Sequence, residues 1–246
     1  AIQVDWLSNI VTAVALVAAI YLWAQMYTSK LVTREEKNRL LGFIPMFISG
    51  VLFFGIFQQQ FTVMTIYSDV RLDGHMFGWE IPPSLVQSIN PIFIVIFSAV
   101  FATMWTKLGD RQWSTPVKFG VANIVIGISL FFFLPFSGAE ANSTPMFVIV
   151  FILFLFTMAE LLLSPVGNAL ATKVAPVAFP SRMMAVWMMA VAMGTSLAGS
   201  LASFYNPDDA GAENTFFISL GVVSIVLGAI LLVLSRWVVK KFSTFR

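Results

Sequence analysis

The side chain with the most chemical consequence is Glu160, which sits inside the run PMFVIVFILFLFTMAELLLSPVGNAL. Glutamate has too short a stem to reach a headgroup from that depth. An ionised carboxylate at the centre of a bilayer costs on the order of 3 kcal/mol even on permissive insertion scales. Such a group is tolerated where it faces a protein interior or a water-filled path, and its default reading is a substrate or proton site. At helical spacing Thr157, Glu160, Ser164, Gly167 and Asn168 share one face, and Pro165 is expected to break the helix just past the acid. Broken helices near the midplane form binding sites in many secondary transporters. No lysine or arginine falls in the middle of another apolar span, so the partner of this carboxylate is expected to be a substrate amine, a proton or a residue of another polypeptide. The alternative is a permanently protonated structural acid bonded to a neighbouring carbonyl.

Other polar groups enter the apolar stretches at a few places. Gln58, Gln59 and Gln60 lie in the middle of one stretch, and Gly55, Gln58, Thr62 and Thr65 recur at steps that place them on one helical face. Amides in lipid must hydrogen-bond to something, either a ligand or a neighbouring helix. The run Gln87-Ser88-Ile89-Asn90-Pro91 opens another stretch, where Pro91 removes a backbone donor, kinks the helix and frees a carbonyl beside the Asn90 amide. Trp187 sits deeper than an interfacial tryptophan and is read either as lining an apolar pocket, with its indole N–H free to donate, or as plain packing. Ala190, Gly194, Ala198 and Ala202 form a small-residue stripe suited to close helix packing. The methionines Met183, Met184, Met188, Met189 and Met193 read as adaptable packing or lipid contact. Cysteine is absent and the only histidine, His75, falls in a polar loop, where a solvated side chain is expected. Thiolate and multi-histidine metal sites are excluded, and Ser164 has no histidine base, so neither metalloenzyme nor serine-hydrolase chemistry has support.

The elements that must position these groups are membrane spans. Charged residues make up 11% of the 246 and hydrophobic ones 59%, with mean hydropathy +0.88; soluble domains carry roughly 25% charged residues. Seven stretches are long enough to cross a bilayer, at roughly 6–28, 41–67, 84–105, 116–137, 146–172, 182–205 and 215–239. The first lacks a basic leader and is read as a retained helix rather than a signal peptide. Loops on one side hold Lys30, Arg34, Lys37, Arg39, Lys107, Arg111, Lys118, Lys173, Arg182, Arg236, Lys240, Lys241 and Arg246. Those on the other hold Asp69, Asp73, Glu80, Glu140, Asp208, Asp209 and Glu213, with Arg71 as their one basic residue. The positive-inside rule then predicts a cytoplasmic C-terminus. A net charge of +2 gives no reason to expect nucleic acid. The start at Ala1, without methionine or a hydrophilic N-terminal segment, suggests a fragment or one product of a larger chain.

Several of these segments match one family. Gln87-Ser88-Ile89-Asn90-Pro91 matches QSxNP, Glu160-Leu-Leu-Leu-Ser164-Pro165-Val-Gly167 matches E-x-x-x-S-P-x-G, and Thr172-Lys173-Val-Ala-Pro176 continues it as TK-x-AP. Pro116-Val-Lys118-Phe119, Met184-Ala-Val-Trp187 (compare MGxWF) and Phe57-Gln58-Gln59 (compare F-[EQ]-Q) add to the pattern, in order, over most of the chain. The sequence resembles the proton-dependent oligopeptide transporter family of the major facilitator superfamily, in its C-terminal half.

That resemblance implies an all-α membrane protein: one inserted helix with its cytoplasmic linker (1–40), then the C-terminal six-helix bundle (41–246). It implies a proton-coupled symporter of di- and tripeptides in the bacterial inner membrane, rocking against an N-terminal six-helix bundle absent from this chain. By the same analogy Asn90 and Glu160 hold the peptide amine, Ser164 and Trp187 line side-chain pockets, Gln58 and Gln59 belong to the substrate site, and Glu160 couples to protons, with no cofactor. Gln58 departs from the pattern, since many members carry a glutamate there and an amide cannot exchange a proton. Coupling is left to Glu160, to the absent half or to another driving force. Phe61 and Ala185 replace family glycines, and Asn168 stands where an apolar residue is usual. A reading from a different class is a non-transporting scaffold or receptor subunit derived from a half-transporter.

Overall fold

The computed structural model of the chain describes residues 2–76, 79–80 and 85–242, without the side chains of 2–5, 75–76 and 79–80. The expectations for Ala1, His75, Glu80 and Arg246 fall outside the described groups.

Among the described residues seven helices are long and apolar enough to span a membrane, as expected from the hydropathy. The first, α1 (Ile2–Thr28), lies against α7 (Pro180–Ala202), where Ser196 donates to the Ser8 carbonyl at 2.6 Å and Ser200 to Asn9 Oδ1 at 3.0 Å. The next helix, α2 (Arg34–Phe57), starts earlier than the apolar run because Thr33 and Glu36 form a capping box that satisfies the first free N–H groups. The same Glu36 carboxylate accepts from the Val177 N–H at 2.8 Å, tying this helix start to the loop between α6 (Met146–Val174) and α7.

The apolar stretch at 41–67 is not one helix. After Phe57 the chain tightens into a 3-10 turn over Gln58–Phe61, Thr62 takes φ −116° and ψ −86°, and α3 (Val63–Arg71) resumes. Short strands follow: β1 (Leu72–Asp73), β2 (His75–Met76) and β3 (Trp79–Glu80). β2 pairs antiparallel with β3, and β1 pairs parallel with β4 (Thr144–Pro145).

Pro91 and Pro165 lie inside α4 (Val86–Leu108) and α6, and both helices continue through them. The expected break after Glu160 is therefore absent. A proline removes one intrahelical bond, whereas a full break in a span would strand several backbone groups where water cannot reach them.

Helices α5 (Thr115–Leu130) and α8 (Ala210–Phe242) pack closely against each other. A Cβ on Gly120 would come within 2.9 Å of the Gly228 carbonyl oxygen, and one on Gly127 within 2.7 Å of the Gly221 oxygen. These paired glycines let the backbones touch, and Ser224 seals the contact by donating to the Asn123 carbonyl at 2.7 Å. Asn123 reaches the other way, donating to Ser49 on α2 at 2.8 Å. At the centre Trp187 is buried between the rings of Phe43, Phe54 and Phe119, with Gly50 and Gly167 making room for the indole. The small stripe on α7 works as expected, since a Cβ on Gly194 would collide with Phe54 and the Val51 carbonyl of α2.

Candidate functional site

Helices α4 and α6 bring Asn90, Thr157 and Glu160 together. Asn90 is 3% exposed and donates to Thr157 Oγ1 at 3.0 Å, and Thr157 in turn donates to the Leu153 carbonyl at 2.8 Å. The Asn90 side chain also lies beside the Glu160 carboxyl. Glu160 itself is half-buried, and its Oε2 is buried without a hydrogen-bond partner among the described residues. A buried carboxyl oxygen without a donor costs more than almost any other polar defect. The arrangement thus offers an acceptor, framed by one amide, to a cation or a proton.

One turn further along α6, Ser164 is partly buried. Beyond it the face changes partner. Asn168 Oδ1 accepts the Trp187 indole N–H at 2.8 Å, so this donor is already engaged and the ring is 1% exposed. Of the two readings of Trp187, the packed one describes its ring, which stands behind the α6 face rather than open to a cavity. Asn168 gains its explanation from the same bond.

The glutamines divide because the helix breaks at them. Gln58 donates to Thr195 Oγ1 on α7 at 3.0 Å. Gln59 points inward, donating to the Gly55 and Ala198 carbonyls at 3.1 and 3.2 Å and accepting from Thr62 at 2.9 Å. Gln60 is 3% exposed, and both its amide atoms are buried without partners among the described residues. The expected single face of Gly55, Gln58, Thr62 and Thr65 does not form, because the 3-10 turn shifts everything beyond Phe57 by a fraction of a turn. Thr65 instead accepts from Gln87 at 2.9 Å, joining α3 to α4. Among the described residues no group of His, Cys, Asp and Glu is placed to hold a metal.

A second polar cluster was not anticipated from the loops. Arg71 and Glu213 form a buried two-point ion pair, Nη2 to Oε2 at 2.8 Å and Nε to Oε1 at 3.2 Å, with side chains 3% and 0% exposed. Arg71 also donates to the carbonyls of Ala139 and Pro207, and Glu213 accepts from Tyr205 Oη at 2.8 Å and the Gly138 N–H at 2.9 Å. Burial, followed by donation to the Glu213 carboxylate, pushes the Tyr205 phenol pKa up. The one signal in the sequence was that Arg71 is the lone basic residue of the acidic loops.

A family model described as PTR2: POT family matches residues 3–231. The uncharacterized transporter YclF of Bacillus subtilis (strain 168) is 38% identical over 229 residues, covering 92% of this chain and 46% of that protein. The di-/tripeptide transporter of Lactococcus lactis subsp. cremoris is 35% identical over 246 residues, covering 97% and 48%. Among solved structures, peptide transporter POT, a glutamate-to-glutamine mutant in complex with alafosfalin, superposes with TM-score 0.87 at 33% identity, covering 96% of this chain and 48% of that one. A POT family transporter in complex with 5-aminolevulinic acid gives 0.87 at 35% identity, covering 95% and 48%. The chain spans about half the length of the curated relatives it matches.

Proposed function

This chain belongs to the POT family, and from that membership we propose that it forms the C-terminal half of a proton-coupled di- and tripeptide symporter. In this reading residues 1–40 are an inserted helix with its linker, and residues 41–246 are the six-helix bundle that rocks against an N-terminal bundle. The C-terminus faces the cytoplasm of a bacterial cell and the inner membrane surrounds the helices.

The observation that carries the reading is the buried, partnerless Oε2 of Glu160 beside Asn90. A peptide's terminal ammonium brings three donors and a charge, and a charge-assisted bond to this oxygen is roughly twice as strong as a neutral one. When no amine is bound, a proton on the same carboxyl relieves the same defect, which makes Glu160 the natural point of exchange between substrate and proton. Ser164 borders the amine site, while the Asn168–Trp187 bond fixes the wall of a neighbouring side-chain pocket. Gln58, held by Thr195, lies at the helix break and contributes an uncharged contact, and Gln59 supports that turn from behind.

The test is dialanine uptake into proteoliposomes under an imposed proton gradient, using the complete transporter with Glu160→Gln. Uptake is expected to fall at least tenfold with insertion into the membrane intact. Uptake at the unsubstituted rate would overturn the assignment.

A further inference from the structure

We infer that the wedge between the basic ends of α4, α5 and α6 is a binding site for a phosphate group, carried by an anionic lipid or free in solution. The inference does not rest on peptide transport. A cavity of about 510 Å³ opens there, walled by apolar side chains that include Phe101, Leu161 and Leu170. Its polar lining includes Lys118, Lys173 and the Trp105 indole, while the Gln112 amide beside them already donates to the Trp105 carbonyl at 2.9 Å. One carboxylate, Asp110, also lines it and is exposed.

Lys118 is the informative member. It is 7% exposed, its Nζ lies 3.8 Å over the Trp105 ring, and it donates to Gln112 Oε1 at 2.9 Å. It occupies the first turn of α5, which contains no acid. The positive end of a helix dipole favours anions and disfavours an added cation. Lys173 is near enough to repel Lys118, and neither lysine pairs with a carboxylate among the described residues. Trp105 Nε1 is buried in the same wall and has no acceptor among the described residues. A buried ammonium, a second ammonium, a positive helix end and an orphaned N–H leave a site short of one anion. Basic pockets between spans at the cytoplasmic surface take lipid head groups on the same principle, and the apolar wall below the lysines would receive an acyl chain.

The complete protein, purified in a neutral detergent, is titrated with dioleoylphosphatidylglycerol, dioleoylphosphatidylcholine and inorganic phosphate, and adducts are counted by native mass spectrometry. Phosphatidylglycerol is expected to bind at concentrations about tenfold below phosphatidylcholine, with the advantage lost in both Lys118→Met and Lys173→Met. Adducts of inorganic phosphate with the same lysine dependence, and no preference between the lipids, would also bear out the site and make its source soluble. Equal retention of both lipids without any phosphate adduct would overturn it. So would phosphatidylglycerol binding unchanged in both variants, as when an acidic side chain of the N-terminal half fills the wedge. Loss in Lys118→Met alone would overturn it too, because Lys173 is exposed and its removal leaves the packing intact.

Discussion

Replacing Arg71 by methionine tests how the acidic-loop end of the bundle is held. The substitution removes both bonds to Glu213 and those to the Ala139 and Pro207 carbonyls. It leaves the Glu213 carboxylate fully buried with only Tyr205 Oη and the Gly138 N–H. Breaking one side of a buried ion pair costs about 3–5 kcal/mol, because the survivor keeps its desolvation penalty and loses its compensation. The two remaining donors place Arg71→Met near the lower end, at ~3 kcal/mol. Glu213→Leu leaves a buried guanidinium with two carbonyl acceptors and is expected to cost about the same. The double variant, lacking both charges, should be less destabilised than the sum of the singles by about 2–3 kcal/mol, the coupling expected within a contacting network. Equilibrium unfolding of the complete protein in mixed micelles, read by circular dichroism, gives all four corners of the cycle. Singles that add to within ~0.5 kcal/mol would refute the reasoning, since additivity is the behaviour of groups that do not interact.

Two further outcomes follow from other contacts. Gly127→Ala places a Cβ about 2.7 Å from the Gly221 carbonyl oxygen and 2.8 Å from Ile225 Cγ1, so it is expected to lose about 1–3 kcal/mol by overpacking; Gly55→Ala, whose nearest contact is Leu197 Cδ2 at 3.5 Å, should be neutral in the same unfolding assay. The Tyr205 phenol is raised above its unfolded pKa of about 10 by burial and by Glu213, so the unfolded chain releases this proton first. The stabilisation is complete below about pH 10 and is lost as pH rises from there towards the raised folded value. Tyr205→Phe should flatten the alkaline arm of the stability profile, and an unchanged slope would show that another group controls it.

The spans could be read from the sequence because a bilayer demands long apolar runs, and that demand is local. Glu160 and Asn90 could be read for a related reason, since a polar group inside such a run has few tolerable explanations. The break at Gln58–Phe61 could not, because apolarity continues through it and helical periodicity assumes a constant pitch. The opposite error at Pro165 came from treating proline as a stop, when in lipid the surrounding backbone bonds hold the helix together. Trp187 is buried, but its partner Asn168 is on another helix, which nothing local to the tryptophan announces. Arg71 and Glu213 are 142 positions apart, and nothing local to either residue announces the other.

The glycine contacts between α5 and α8 set the mechanics of the bundle. Sliding one helix past the other by a residue, about 1.5 Å, would carry the Gly120 and Gly127 clefts off the Gly228 and Gly221 carbonyls that now rest in them. The pair therefore has no soft axial coordinate and behaves as a single strut that passes a push at one membrane face to the other without shortening. Compliance is left to α4, which among the described residues buries only Val86 and Asn90.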